Sequence, residues 1–266
     1  MPNSKRKQLS LITLCLLIAF SSVAQKGKST TEPAASTSPA ATNSTPNSKE
    51  YELEERIFKE ALQYNDGLVA RVALFRMIQL KPEAKNLYDT LAYLYFGSGQ
   101  FNEAMILSEK VYTEDNSKVG MLEVKAISEQ NLGMLKEALN DFEMLYEKAK
   151  DVRYLYQIAA MQYDLKRVAE CSNSINMILA STETDKATVP FFTQDRRRQD
   201  VPIKAAAFNM RGVLAGELGE FDLAAKAYEE ALKLYPEFAL AKNNIEVIKK
   251  RKETKSETKP TPAPKK

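Results

Sequence analysis

Side chains suited to chemistry are sparse in this 266-residue chain. It has no histidine, which removes the commonest general base, the Ser–His and Cys–His pairs, and the commonest zinc ligand. The two cysteines, Cys15 and Cys171, are too few for a thiolate metal site. Nine glycines are scattered instead of being gathered into a phosphate-cradling loop. The paired acids Glu54-Glu55 and Glu229-Glu230 are neighbours in helical stretches. Their side chains therefore point in different directions and read as solvated faces, not as a catalytic dyad. The composition argues against catalysis and against a resident metal or cofactor, and leaves surface recognition as the chemistry to look for.

Both ends of the chain read as segments outside the fold. Residues 1–24 have a signal-peptide layout: Lys5, Arg6 and Lys7, an apolar run from Leu9 to Phe20, then Ser22-Val23-Ala24 as a small-x-small cleavage pattern. The apolar run is about a dozen residues, whereas a membrane span needs roughly 20. Cleavage after Ala24 is expected, with an uncleaved anchor as the other reading. Cys15 lies inside the apolar run instead of closing it, which argues against lipidation. Cleavage leaves Cys171 as the one thiol, read as a small buried hydrophobe within a helix; the alternatives are a reactive thiol and an intermolecular bridge. Residues 25–49 contain no Leu, Ile, Phe or Tyr and cannot offset the entropy of ordering, so they read as a flexible leader. Residues 252–266, ending in Lys-Pro-Thr-Pro-Ala-Pro-Lys-Lys, read as a disordered basic tail.

Charge follows the same division. The signal carries +3 and residues 249–266 carry +6, so a formal total of +3 leaves the body at −6. An acidic body is a poor nucleic-acid surface, which needs a basic face on the fold itself. The basic tail leaves open a weak contact with an anionic envelope surface.

Between the ends the pattern is helical, with a 34-residue period. Units starting at Tyr51, Lys85, Val119 and Arg153 follow without a gap, and a fifth starts at Ala205. Apolar-periodic segments such as 86–96 and 102–112 are joined by Gly97-Ser98-Gly99-Gln100. Each unit is helix A, a tight turn, then helix B. Glycine at offset 15 (Gly99, Gly133, Gly219) supplies the left-handed residue that ends helix A, and Pro82 and Pro236 stop helix B.

The offsets resemble those of the tetratricopeptide repeat family. Small residues recur at offsets 8 and 20, as in Ala92 with Ala104, Ala126 with Ala138, Ala160 with Ser172, and Gly212 with Ala224. Tyr88, Tyr95 and Phe101 stand at the aromatic offsets of the second unit, and Tyr156 and Tyr163 at those of the fourth. The first unit departs, with Phe58 for a small residue and Gly67 for an aromatic, and reads as a degenerate cap. The fourth departs too, with Arg167 for glycine and Asn176 for an aromatic. The resemblance implies an all-α fold, a right-handed α-solenoid over residues 50–251. Its repeats fall near 51–84, 85–118, 119–152, 153–186 and 205–238, with a solvating helix over 238–250. The period breaks at 187–204, where two short β-prone runs around a polar tip read as a β-hairpin or a loop. Pro190, Phe191 and Phe192 are expected to pack on the solenoid, and Arg196, Arg197 and Arg198 to project outward.

The resemblance also implies a concave groove lined by helix A residues. Carried onto this chain, these are Asn86, Asp89, Tyr93 and Phe96; Glu123, Ile127, Gln130 and Asn131; Tyr154, Gln157, Met161 and Asp164; and Asn209 and Val213. Amides, aromatics and a few acids suit a neutral or basic protein or peptide segment. Lys59 is the one Lys or Arg at these offsets, which argues against the family's clamp for a C-terminal carboxylate. The expectation is an exported, periplasmic or secreted scaffold, resembling bacterial envelope members of the family. Self-association and tethering through the basic tail are the alternatives.

Overall fold

The computed structural model describes residues 46–185 and 187–257. The signal, nearly all of the leader, Cys15 and the last nine residues of the tail lie outside the described residues. The described residues contain eleven α-helices and one two-stranded sheet. They divide into two compact units, 46–128 and 129–257.

The first unit holds α1 (Pro46–Gln63), α2 (Gly67–Leu80), α3 (Asn86–Gly97), α4 (Phe101–Glu114) and the start of α5 (Val119–Asn131). Consecutive helices pack as pairs: α1 on α2, α2 on α3, α3 on α4. The second unit holds the end of α5, then α6 (Leu135–Ala149), α7 (Val152–Asp164) and α8 (Val168–Ala180). The strands β1 (Thr188–Phe192) and β2 (Arg198–Pro202) follow, and then α9 (Ile203–Glu217), α10 (Phe221–Leu234) and α11 (Ala239–Glu257). Apolar stripes at helical spacing make the core. Leu74, Met77 and Ile78 of α2 meet Leu87 and Leu91 of α3, and Tyr51, Phe58, Tyr88 and Tyr95 close over them. Helix α1 starts ahead of the expected boundary at residue 50, and α11 runs seven residues past residue 250.

One turn geometry recurs five times. A left-handed residue ends helix A: Asn65 (φ 57°), Gly99 (74°), Gly133 (78°), Lys166 (61°) and Gly219 (78°). The next N–H reaches back five residues, from Asp66 to Ala61, Gln100 to Tyr95, Met134 to Glu129, Arg167 to Gln162, and Glu220 to Ala215. This bond satisfies a carbonyl left over at the helix end. It also corrects the fourth repeat. The left-handed seat there is Lys166, not Arg167, so this repeat is in register one residue earlier than a strict period of 34. Ala159 and Cys171, both with no exposed surface, take the two small-residue seats assigned to Ala160 and Ser172. Ser172 and Asn176 fall on the exposed side of α8, so the seat assigned to Asn176 is taken by Ile175, 1% exposed, a large apolar residue in place of an aromatic. Cys171 is indeed a small buried hydrophobe, its sulfur 3.9 Å from that of Met210.

The interruption is a hairpin. Antiparallel pairing sets Val189 against Val201 and Phe191 against Gln199. Strand alternation buries Val189, Phe191 and Val201 and turns Phe192 outward at 43% exposure. Phe191 packs as expected, Pro190 is half-buried and Phe192 is not packed. Arg196 and Arg197 lie at the exposed tip, while Arg198 begins β2. Arg197 pairs with Asp195, and Arg198 with Asp200.

Candidate functional site

The first unit carries the more open part of the expected groove. On α3, positions 86, 89, 93 and 96 share one face at helical spacing, while Leu87, Leu91 and Ala92 are buried on the other. Asn86 is exposed and Tyr93 is 46% exposed. Phe96 is half-buried, edge to face with Phe101 at 5.9 Å. On α5, Glu123 is half-buried, and Ile127 is closed off at 1% exposure.

Two residues that sequence reasoning missed complete this surface. Lys118 donates to both carboxylate oxygens of Asp89, at 2.8 and 2.6 Å, with both side chains about a quarter exposed. This bidentate pair fixes Asp89 and cancels its charge, so Asp89 does not supply the acidity expected of the groove. Gly120 has no side chain where the Tyr93 hydroxyl lies: a Cβ built there would stand 2.6 Å from that oxygen. Lys118 follows α4 by four residues and carries no motif. Gly120 stands at a groove offset, and its signal was the absence of a side chain beneath an aromatic. Burial, then Glu123 and then Asp89, push the Tyr93 hydroxyl above its ordinary pKa. It therefore stays protonated at neutral pH, a hydrogen-bond donor between two acids.

The second unit is more closed. Gln130 donates its amide to Gln157 at 3.3 Å, and Asn244 to Asn209 at 3.0 Å. Gln157 and Asn209 are buried, and Met161 and Val213 lie in the core. Asn131 and Tyr154 are half-buried, Tyr154 with its ring 6.2 Å from Phe142, and Asp164 is exposed. The corrected register moves the fourth-repeat groove offsets to Arg153, Tyr156, Ala160 and Tyr163. Tyr156 is buried, 6.5 Å from Phe191. Tyr163 is buried too, and its hydroxyl donates to Glu217 at 2.5 Å. Among the described residues no cluster of His, Cys, Asp or Glu is arranged to hold a metal, and no helix is long and apolar enough to cross a membrane.

Residues 205–238 match the family model described as tetratricopeptide repeat. No curated protein matches the sequence. Solved structures share the fold. A tetratricopeptide repeat protein from Parabacteroides merdae aligns with TM-score 0.60 at 16% identity, over 80% of this chain and 82% of that one. YrrB, described as a TPR protein with an unusual peptide-binding site, aligns with TM-score 0.56 at 16% identity, over 75% and 97%. MamA from Desulfovibrio magneticus aligns with TM-score 0.55 at 12% identity, over 71% and 97%.

Proposed function

As a chain that carries a tetratricopeptide repeat and has the fold of proteins built from it, this protein is, we propose, a non-catalytic scaffold that acts outside the cytoplasm. Its first recognition surface is the face shared by α3 and α5. The observation that carries this reading is the set Asn86, Asp89, Tyr93 and Glu123. These side chains offer an amide, a fixed carboxylate, a protonated hydroxyl and a second acid along one accessible face. Such groups hydrogen-bond the backbone of an extended or helical segment, while the Tyr93 ring supplies apolar contact. With Asp89 held by Lys118, the face offers hydrogen bonds more than net charge, which suits a neutral segment. Export rests on the sequence pattern of residues 1–24.

The test is capture of partners from native cells by the full chain and by a variant with Asp89→Ala, Tyr93→Ala and Glu123→Ala. Loss of a captured partner, with circular dichroism unchanged, supports the assignment. Equal capture moves the site elsewhere. Fractionation of the tagged full chain tests export: recovery of the uncleaved protein in the cytosol would sink that part.

A further inference from the structure

The outward side of α2 carries a longer apolar row than the corresponding helix of any other repeat. Leu68, Val72 and Phe75 are 66%, 47% and 44% exposed, and Val69 beside them is 40% exposed. Spacings of four and three residues put the first three in one row along the helix, about 10 Å long at 1.5 Å per residue. The other repeats supply an internal control. The bond from Ala70 N–H to the Asp66 carbonyl recurs from Ala138 to Met134 and from Ala224 to Glu220, which aligns the helices residue by residue. The positions of Leu68, Val72 and Phe75 are then held by Lys136, Asn140 and Glu143 in α6, and by Asp222, Lys226 and Glu229 in α10, all exposed. The same bond in α4 and α8, from Ala104 to Gln100 and from Cys171 to Arg167, places Asn102, Ile106 and Glu109, and Ala169, Asn173 and Asn176, at these positions. Ile106, 55% exposed, is the one large apolar residue among them, whereas α2 turns three to water. Isolated exposed hydrophobes need no explanation, but a row of them on one helix marks a contact surface.

The charges choose among occupants. Helix α2 contains Arg71 and Arg76 and no acid. Arg76 is bonded to Glu54 at 2.9 Å but its side chain stays 64% exposed, and Arg71 is bonded to Ser98. A second copy of α2 laid on this row would bring arginines against arginines. Within this chain the apolar stretch outside the described residues, 9–20, is preceded by Lys5, Arg6 and Lys7 and has no acid, so its charge is also wrong. The leader has no large apolar side chain to offer. A membrane surface is served by a wider apolar face with many cations, whereas this row is one residue wide and is flanked by two arginines, Arg71 and Arg76.

We propose that the α2 row docks an amphipathic helix of another protein, one with an apolar stripe flanked by Asp or Glu. Its Leu- or Ile-type residues at spacings of three and four would interlock with Leu68, Val72 and Phe75, and its acids would meet Arg71 and Arg76. This surface is independent of the α3–α5 face, so either can fail without the other.

The test uses the full chain and two labelled synthetic helical peptides sharing one leucine stripe, with Glu flanks in the first and Lys flanks in the second. Fluorescence anisotropy should show the Glu peptide binding at least about tenfold more tightly than the Lys peptide, since charge complementarity discriminates partners. Leu68→Asn with Val72→Asn should abolish that binding while leaving the melting temperature and the Phe75–Tyr95 ring contact in place. Absence of Glu-peptide binding at high micromolar concentration, equal binding of both peptides, or binding indifferent to the substitutions would each overturn the proposal. So would binding of phosphatidylserine vesicles, or a dimer in light scattering, that the same substitutions remove.

Discussion

Tyr93 rests its hydroxyl where a side chain on residue 120 would begin: 2.6 Å separates that oxygen from a Cβ built on Gly120. The atom in the way is the far end of a half-exposed ring, free to swing toward water. Gly120→Ala should therefore leave stability nearly unchanged, because relief of glycine's entropy cost in a helix, about 0.5–1 kcal/mol, offsets the displacement. Partner capture should fall even so, since the ring leaves the α3–α5 face. A melting curve and a capture assay on the same variant check both halves.

Gly212 gives the opposite result. A Cβ there would lie 2.5 to 2.8 Å from three atoms of the Tyr228 ring, which has no exposed surface and nowhere to move. Gly212→Ala should cost about 1–3 kcal/mol, as overpacking does. Urea unfolding should show a lower midpoint with an unchanged slope.

Lys166 occupies a left-handed seat that glycine fills in three of the other four turns. A side chain in that conformation costs about 1–2 kcal/mol, partly recovered here by the ammonium lying 4.8 Å from the Tyr163 ring centre. Lys166→Gly should raise stability by about 0.5 kcal/mol and Gly133→Ala should lower it by about 1 kcal/mol. Thermal unfolding of both variants reads the two signs together.

Burial, and secondarily Asp164, push the Cys171 thiol up to about 12 from an ordinary value of 9.0. The folded chain then holds this proton up to about pH 12, while the unfolded chain releases it near pH 9. Between those values the unfolded state binds fewer protons, so stability present below pH 9 is lost as the pH climbs. Cys171→Ala should flatten the alkaline limb of a stability-versus-pH curve. Iodoacetamide should label the native thiol only at the rate of opening.

The repeat architecture was legible because small residues at fixed offsets are a steric requirement that survives divergence. The register slip at Lys166 was not, because a lysine with φ of 61° carries no signature and Ala159-Ala160 satisfies either phase. Cys171 shows the same limit: its small volume qualifies it for the seat of an alanine, but only the hydrogen bond at Arg167 places it there. On the α3–α5 face, helical periodicity was enough to align Asn86, Asp89 and Tyr93. Lys118 was invisible because its partner lies 29 residues away, across a helix and a turn. The α2 row was readable in principle, since Leu68, Val72 and Phe75 follow helical spacing, but a row of that kind cannot be told from a core stripe until the buried side of the helix is known.

The hairpin's hold on the last helix bears on how the chain comes apart. Gln199 donates to the Glu237 carbonyl at 2.5 Å and accepts from the Ala239 N–H at 3.2 Å, while the Phe191 ring sits 4.9 Å from that of Phe238. Terminal helices ordinarily fray residue by residue. Here the first turn of α11 is latched to a strand inserted some forty residues earlier, so its amides should exchange with deuterium in step with those of β1 and β2, as one opening event. Phe191→Ala together with Gln199→Ala should uncouple them and let the last helix exchange on its own, faster clock.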